Sequence, residues 1–452
     1  MTSVGIYSRK GLENWSKNAE EHFQSLGYKT SRFSEHFEED CFDFNSSFNK
    51  FIHENKSKIS TYNDEENKDI IQRCRLLRSL DRSIAISMIS SAQRAIIEYI
   101  NKEKIEVFIA PRVDSYILDI IDRELSSRNQ LFIGVWRSAF LKRKFFLTKR
   151  GEVNQINHEI SSKDCEELIN SLSNLEFKAT SITNSNNFTA FQFLRRYLYL
   201  LLRDIFFEFT RYFTKYRYGY HELTNRFHTI SDRIKIGDFF KAMENKNHYL
   251  EPLKSGNRAK NIFIALQVNP ESTIDYYSPN IEFTNIEKTL DLLTSNLSKN
   301  GYNIFIKDHP NMFGRRMFHR LKKIFNYENV FYVPYSVIST EVIKNCDIVF
   351  SWSGTVNMQS FLSNKIAISV CPPYSVEHPS FITLQDISDI QNINHLINQA
   401  KKSTIDYDHK FTLAKKILSS LKDGEVFTSN NQKGDAGQFV SYIDNYITNK
   451  LF

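Results

Sequence analysis

Three short apolar runs, Ile304–Ile306, Ile348–Phe350 and Ile366–Val370, constrain the fold more than any other feature of this chain. Each is unbroken rather than alternating. That is the pattern of strands buried on both faces, as in parallel sheets covered by helices. Two of the runs stop at a small polar loop: Lys307-Asp308-His309-Pro310 after the first, Ser351-Trp352-Ser353-Gly354-Thr355 after the second. In an open α/β sheet the ligand crevice lies beyond the carboxyl ends of the strands. Both loops are therefore expected on one edge of one sheet, as a candidate site.

The rest of the sequence extends this to two α/β halves. Val4–Tyr7, Glu13–Leu26 and Tyr28–Arg32 read as strand, helix and strand, a common opening for a nucleotide-binding-type domain. Residues 35–67 show no clear pattern, Ile70–Glu98 reads as one helix, and Ile105–Ala110 and Leu131–Val135 read as buried strands. The basic run Lys142–Phe146 is expected to leave the sheet. Ile262–Leu266 opens the second half. The expected division is an α/β domain over 1–180, a linker with a basic aromatic helix over 181–255, a second α/β domain over 256–425 and a C-terminal helix over 426–452. A chain of 452 residues is long enough for two such cores.

Composition narrows the function classes. The formal net charge of +7 suits a polyanionic ligand or an anionic membrane face, but is too small to argue for nucleic acid. Five scattered cysteines without a C-x-x-C pair suggest neither a disulfide framework nor a zinc site. No P-loop, metal-ligand spacing or nucleophile elbow occurs, so kinase, dehydrogenase and hydrolase readings lack their fingerprints. No signal-peptide pattern opens the chain, and no apolar run approaches the roughly 20 residues of a membrane span. A cytoplasmic protein is expected. Phe188–Tyr220 is dense in Phe, Tyr, Leu and Arg, with Arg195, Arg196 and Arg203 among its cations. Such a helix can lie in a membrane interface, or pack its aromatics on the core while its arginines reach water. Sequence leaves both open.

The loops carry the chemistry. Proline fixes φ and removes an N–H, so Pro310 can hold the His309 imidazole in one direction, and His309 with Lys307 makes a plausible phosphate clamp. The plainer reading of His309 is structural. Ser353, Gly354 and Thr355 precede a helical segment, where glycine allows close backbone approach and helix N–H groups suit an anionic oxygen. An ordinary N-cap would explain one of these hydroxyls but not the whole loop. Glu271 lies on the loop leaving the first strand of the second half, and Gln267 opens that loop. Asp114 holds the analogous place in the first half, beside Arg112, a candidate substrate contact. Two carboxylates facing across a cleft would suit general acid/base work; each could equally cap a helix.

The series L-Q-V-N-P-E-S-T, I-K-D-H-P, I-K-N-C-D-I-V-F-S-W-S-G-T-V and N-K-I-A-I-S-V resembles bacterial capsule and surface-polysaccharide glycosyltransferases of the capsular Kdo-transferase type. F-I-A-P-R-V-D-S-Y-I-L-D and W-R-S-A-F-L-K-R-K-F-F-L-T in the first half are similar to the same family. The resemblance covers residues 105–150 and 260–372. It implies a GT-B fold, with two Rossmann-like domains whose parallel sheets face across a cleft. The second domain would hold a nucleotide-sugar, CMP-linked, and the first a polysaccharide or glycolipid acceptor, with no metal. By the same resemblance His309 and Pro310 contact the nucleotide phosphate, Ser353, Gly354 and Thr355 add phosphate or nucleotide contacts, and Gln267 and Glu271 face Asp114. Related sequences carry G-T-x-G-x-E in the second loop; here Asn357 and Gln359 replace the glycine and the acid. Teichoic-acid-type transferases of CDP-polyols present similar loops, and a non-catalytic GT-B scaffold is a third possibility.

Overall fold

The computed structural model describes residues 2–36, 38–54, 62–138, 141–153, 160–174, 189–213, 248–255, 257–268, 272–278, 280–429 and 435–451. They fall into two compact units: Met1–Asn154, Glu208–Phe227 and Ser420–Phe452 form unit 1, and Gln155–Phe207 with His228–Ser419 form unit 2.

In unit 1, β1 (Ser3–Ser8), β2 (Lys29–Ser34), β3 (Cys41–Asp43), β4 (Val107–Pro111) and β5 (Leu131–Arg137) are parallel, in the order β5-β4-β1-β2-β3. The basic run expected to leave the sheet instead turns back: β6 (Lys144–Leu147) pairs antiparallel with β5. Arg143 makes that turn with φ 54°. The helix expected over Ile70–Glu98 is also interrupted. Asp64–Arg73 ends at Cys74, whose backbone is extended, and Arg82–Glu103 begins afresh after Asp81. Within the stretch that showed no pattern, β3 and the helix Phe44–Glu54 form around buried Phe44, Phe48 and Phe51.

Unit 2 holds six parallel strands: β7 (Asn261–Ala265), β8 (Asn303–Lys307), β9 (Val330–Val333), β10 (Ile348–Ser351), β11 (Ile366–Ser369) and β12 (Phe381–Thr383). Their order, β12-β11-β10-β7-β8-β9, is that of a doubly wound Rossmann sheet, with its switch point between β7 and β10. The unbroken apolar runs follow from burial on both faces. Ile262, Ile264, Ile304 and Ile306 pack in one core cluster with Leu290 and Leu293 of the helix Ile286–Lys299. Phe263, Phe305 and Val349 pack on the opposite face with Val342 and Ile343.

Two segments cross the sequence-based divisions. The helix Ser162–Ser173 belongs to unit 2, where Ser363 Oγ donates to the Ser173 carbonyl at 3.3 Å. The last residues return to unit 1. There β13 (Lys422–Asp423) pairs antiparallel with β6, and the helix Gly437–Leu451 packs Phe439, Val440 and Ile443 against Trp15 and Phe145. The first sheet is therefore mixed at one edge, not wholly parallel. Each unit is an α/β layer structure around its own sheet. No helix among the described residues is long and apolar enough to cross a membrane.

Candidate functional site

The carboxyl ends of β7, β8 and β10 are level, because Ala265 is in register with both Lys307 and Ser351. The two polar loops therefore share one edge, as expected, with the β7 loop between them. Gln267, a candidate substrate contact, spends its side-chain amide on joining strands. Its Nε2 donates to Ser351 Oγ at 2.9 Å and to the Ser353 carbonyl, bridging β7 to β10 at the switch point. Trp352 anchors the same loop from below: it is 1% exposed, stands edge-on to Phe350, and its carbonyl accepts from Cys371 N at 2.8 Å.

Gly354 is the N-cap of the helix Thr355–Leu362 and adopts φ 116°, a conformation that favours glycine. No side chain caps the helix from that position, so the ordinary Ser or Thr N-cap does not account for this loop. Ser353 is buried and Thr355 half-buried beside it. The arrangement leaves a glycine-opened helix start on the sheet edge, suited to anionic oxygen. Asn357 is fully buried, and its Nδ2 donates to the Ser351 carbonyl at 3.1 Å, so it braces the loop from behind.

On the other side, the His309 ring is oriented by its own loop. Asn311 N–H donates to His309 Nδ1 at 3.1 Å, Pro310 begins the short turn that makes this possible, and the ring proton is thereby placed on Nε2. Burial lowers the His309 pKa to about 4, with Lys307 and Arg316 adding to the effect against Asp308. At neutral pH the imidazole is an uncharged donor. Lys307 is buried and its Nζ donates to the Asp308 carbonyl at 3.3 Å; burial lowers its pKa to about 8.

Sequence reasoning missed the group that organises this loop. Asp308 is 1% exposed and accepts from four directions: His309 N–H at 2.8 Å, Arg316 Nε at 3.1 Å, Arg316 Nη2 at 2.6 Å and the Tyr335 hydroxyl. Arg316 also donates to the Gln267 carbonyl, tying the β8 loop to the β7 loop. The available signal was an acid directly before His309, followed eight residues later by Arg316 beside the apolar pair Met317-Phe318.

In unit 1, Asp114 sits past β4 and is held by Arg9, whose Nη2 lies 3.0 and 2.9 Å from its two oxygens. Arg9 follows β1, so this ion pair spans the β1–β4 switch point of the first sheet. Arg112 stacks over the Trp136 ring at 3.8 Å. Nearby, the Tyr7 hydroxyl donates to Glu35 Oε1 at 2.6 Å, and burial raises its pKa well above the ordinary value. Glu271 lies outside the described residues.

No family model matches the chain, and no curated protein matches it. Among solved structures, a β-Kdo 2,4-transferase, KpsC, of Thermosulfurimonas dismutans is 11% identical, with 98% of each chain covered and a TM-score of 0.37. A UDP-GlcNAc 2-epimerase of Methanocaldococcus jannaschii, solved with UDP-GlcNAc and UDP, is 11% identical over 98% of this chain and 99% of that one, with a TM-score of 0.31. A glycosyltransferase of Rickettsia africae is 11% identical over 99% and 98%, with a TM-score of 0.23. Overlap at this level decides neither activity nor substrate.

Proposed function

We propose that the chain is a GT-B-type glycosyltransferase of capsule or lipopolysaccharide biosynthesis. It transfers a sugar, Kdo or a related acidic sugar, from a CMP-activated donor to a glycan or glycolipid acceptor at the inner face of the cytoplasmic membrane. The observation that carries this reading is the neutral His309, with its donor Nε2–H, on the same sheet edge as the glycine-opened helix start at Gly354. In such a transfer the bond between the anomeric carbon and the CMP phosphate oxygen breaks, and negative charge develops on that phosphate. Donors fixed before the reaction stabilise this charge without reorganising. His309 Nε2–H, Lys307 and the first-turn N–H groups of Thr355–Leu362 fill that role, with Pro310, Ser353 and Thr355 shaping the pocket. The acceptor hydroxyl attacks the anomeric carbon and gives its proton to a carboxylate. Asp114 and Glu271 are the proposed candidates, and Arg112 a proposed acceptor contact. Because Arg9 holds both Asp114 oxygens, Asp114 serves as base only if acceptor binding displaces that guanidinium.

The test is a panel of CMP-, CDP-, UDP- and GDP-linked donors with a glycan or glycolipid acceptor, followed by nucleotide release. Acceptor-dependent release of CMP from a CMP-sugar is expected. Turnover of a CDP-polyol alone would replace this reading with polyol-phosphate transfer, and absence of affinity for every nucleotide would replace it with a scaffold role.

A further inference from the structure

Seven of the eleven exposed large apolar side chains among the described residues lie between Phe191 and Phe206, on the helix Ala190–Phe213. At about 100° per residue, Phe191, Leu194, Leu198, Leu202, Ile205 and Phe206 share one side. Phe191 is 74% exposed and Leu202 66%. The opposite side, with Phe193 and Leu200 each 2% exposed, is buried, Phe193 in a cluster with Phe313, Phe318 and Tyr335. Arg195 is exposed within the apolar side and Arg203 is half-buried at its border. The sole acid between residues 190 and 206 is Asp204.

We infer that this side of the helix docks on an anionic lipid bilayer. A basic helix with one continuous apolar side lies in the interface plane, with apolar groups among the acyl chains and cations at the headgroups. Charge favours a bilayer over a second copy of the chain. Two copies of this side would bring the two exposed Arg195 cations together, whereas anionic headgroups neutralise them.

The buried side of the helix carries the consequence for the site. Phe193 stands edge-on to Phe313 at 5.2 Å, and Arg196 Nη2 donates to the Asn311 carbonyl at 3.2 Å. Asn311 N–H in turn orients His309. Gly314 lies so close that an added Cβ would be 3.4 Å from Arg196 Cβ. The helix is thus a plate with lipid on one side and the His309 loop on the other. Docking sets that loop at the membrane surface, whichever donor the pocket takes.

Flotation of the full chain with vesicles of phosphatidylglycerol and phosphatidylcholine, against phosphatidylcholine alone, tests this. Wild-type protein is expected to float with the anionic vesicles and about tenfold less with the neutral ones. Leu198→Glu with Leu202→Glu, both at exposed positions, should reduce flotation about tenfold with an unchanged circular dichroism spectrum. Arg195→Glu should weaken binding to the anionic vesicles alone. Wild-type protein that floats with neither vesicle, or a double variant that floats like wild type, overturns the inference. So does a dimer in light scattering that the double variant dissociates, without vesicle binding by wild type: that result assigns the surface to a second copy.

Discussion

The proposed role of His309 as a phosphate donor rests on a neutral ring, and this has measurable consequences. His309→Ala is expected to reduce turnover about a hundredfold or more, the usual effect of removing a preorganised donor to developing charge. His309→Gln, which restores a side-chain N–H, should recover part of the loss. Equal activity of wild type and His309→Ala would remove the phosphate role. Lys307 gives a test of opposite sign. Its pKa falls from 10.5 to about 8 on burial, so between those values the unfolded chain binds more protons and stability rises with pH. Lys307→Met should therefore stabilise unit 2 at pH 7, by about 1–2 kcal/mol, with the gain shrinking as pH rises from 8 towards 10.5. Urea titrations at pH 7 and pH 10 measure this. In the same variant, nucleotide affinity should fall. A gain in stability with a loss of binding is what the proposed phosphate role of this buried cation predicts.

At the scale of elements, the strands of both sheets were legible because burial on both faces leaves a continuous apolar run. Ile304–Ile306 and Ile348–Phe350 divide between two core clusters, so no polar residue is tolerated on either side. The edge of the first sheet was not legible. β6 reads as a basic exit, and β13 is two residues, Lys422 and Asp423, defined by a partner far away in sequence. No local period announces such pairing. The site was legible in its outline, the His-Pro and Ser-Gly-Thr loops, and illegible in its bracing. Asp308, Arg316 and Tyr335 are separated by 8 and 27 residues from one another or their partner, and nothing short-range links them. Their importance is nevertheless testable. Asp308→Ala leaves the buried Arg316 guanidinium without its carboxylate and should cost about 3–5 kcal/mol. Tyr335→Phe removes one hydroxyl from the same carboxylate and should cost about 1 kcal/mol, raising KM more than it lowers kcat. Matched denaturation curves for the two variants would show that Asp308 is not the hub.

The whole molecule is divided differently from its sequence. Unit 1 is completed by the last thirty-odd residues, which supply Phe439, Val440, Ile443 and Ile447 to the cluster around Trp15, Phe23 and Phe145. Trp15 Nε1 donates to the Glu425 carbonyl at 3.0 Å, and the Tyr28 hydroxyl to Asp444 at 2.6 Å. Each of those four apolar side chains contributes about 1.5–3 kcal/mol on burial. Their sum is comparable with the roughly 5–15 kcal/mol that holds a whole domain folded. A chain ending at Ser419 should therefore retain a folded unit 2, whose boundaries stop there, while unit 1 loses its cooperative structure. Limited proteolysis read by mass spectrometry checks this. Cleavage should spread through residues 1–154 in the shortened chain, with residues 248–419 protected as in the full chain. If residues 1–154 stay protected, the C-terminal helix is an attachment to a finished core, and the apolar cluster around Trp15 closes without it.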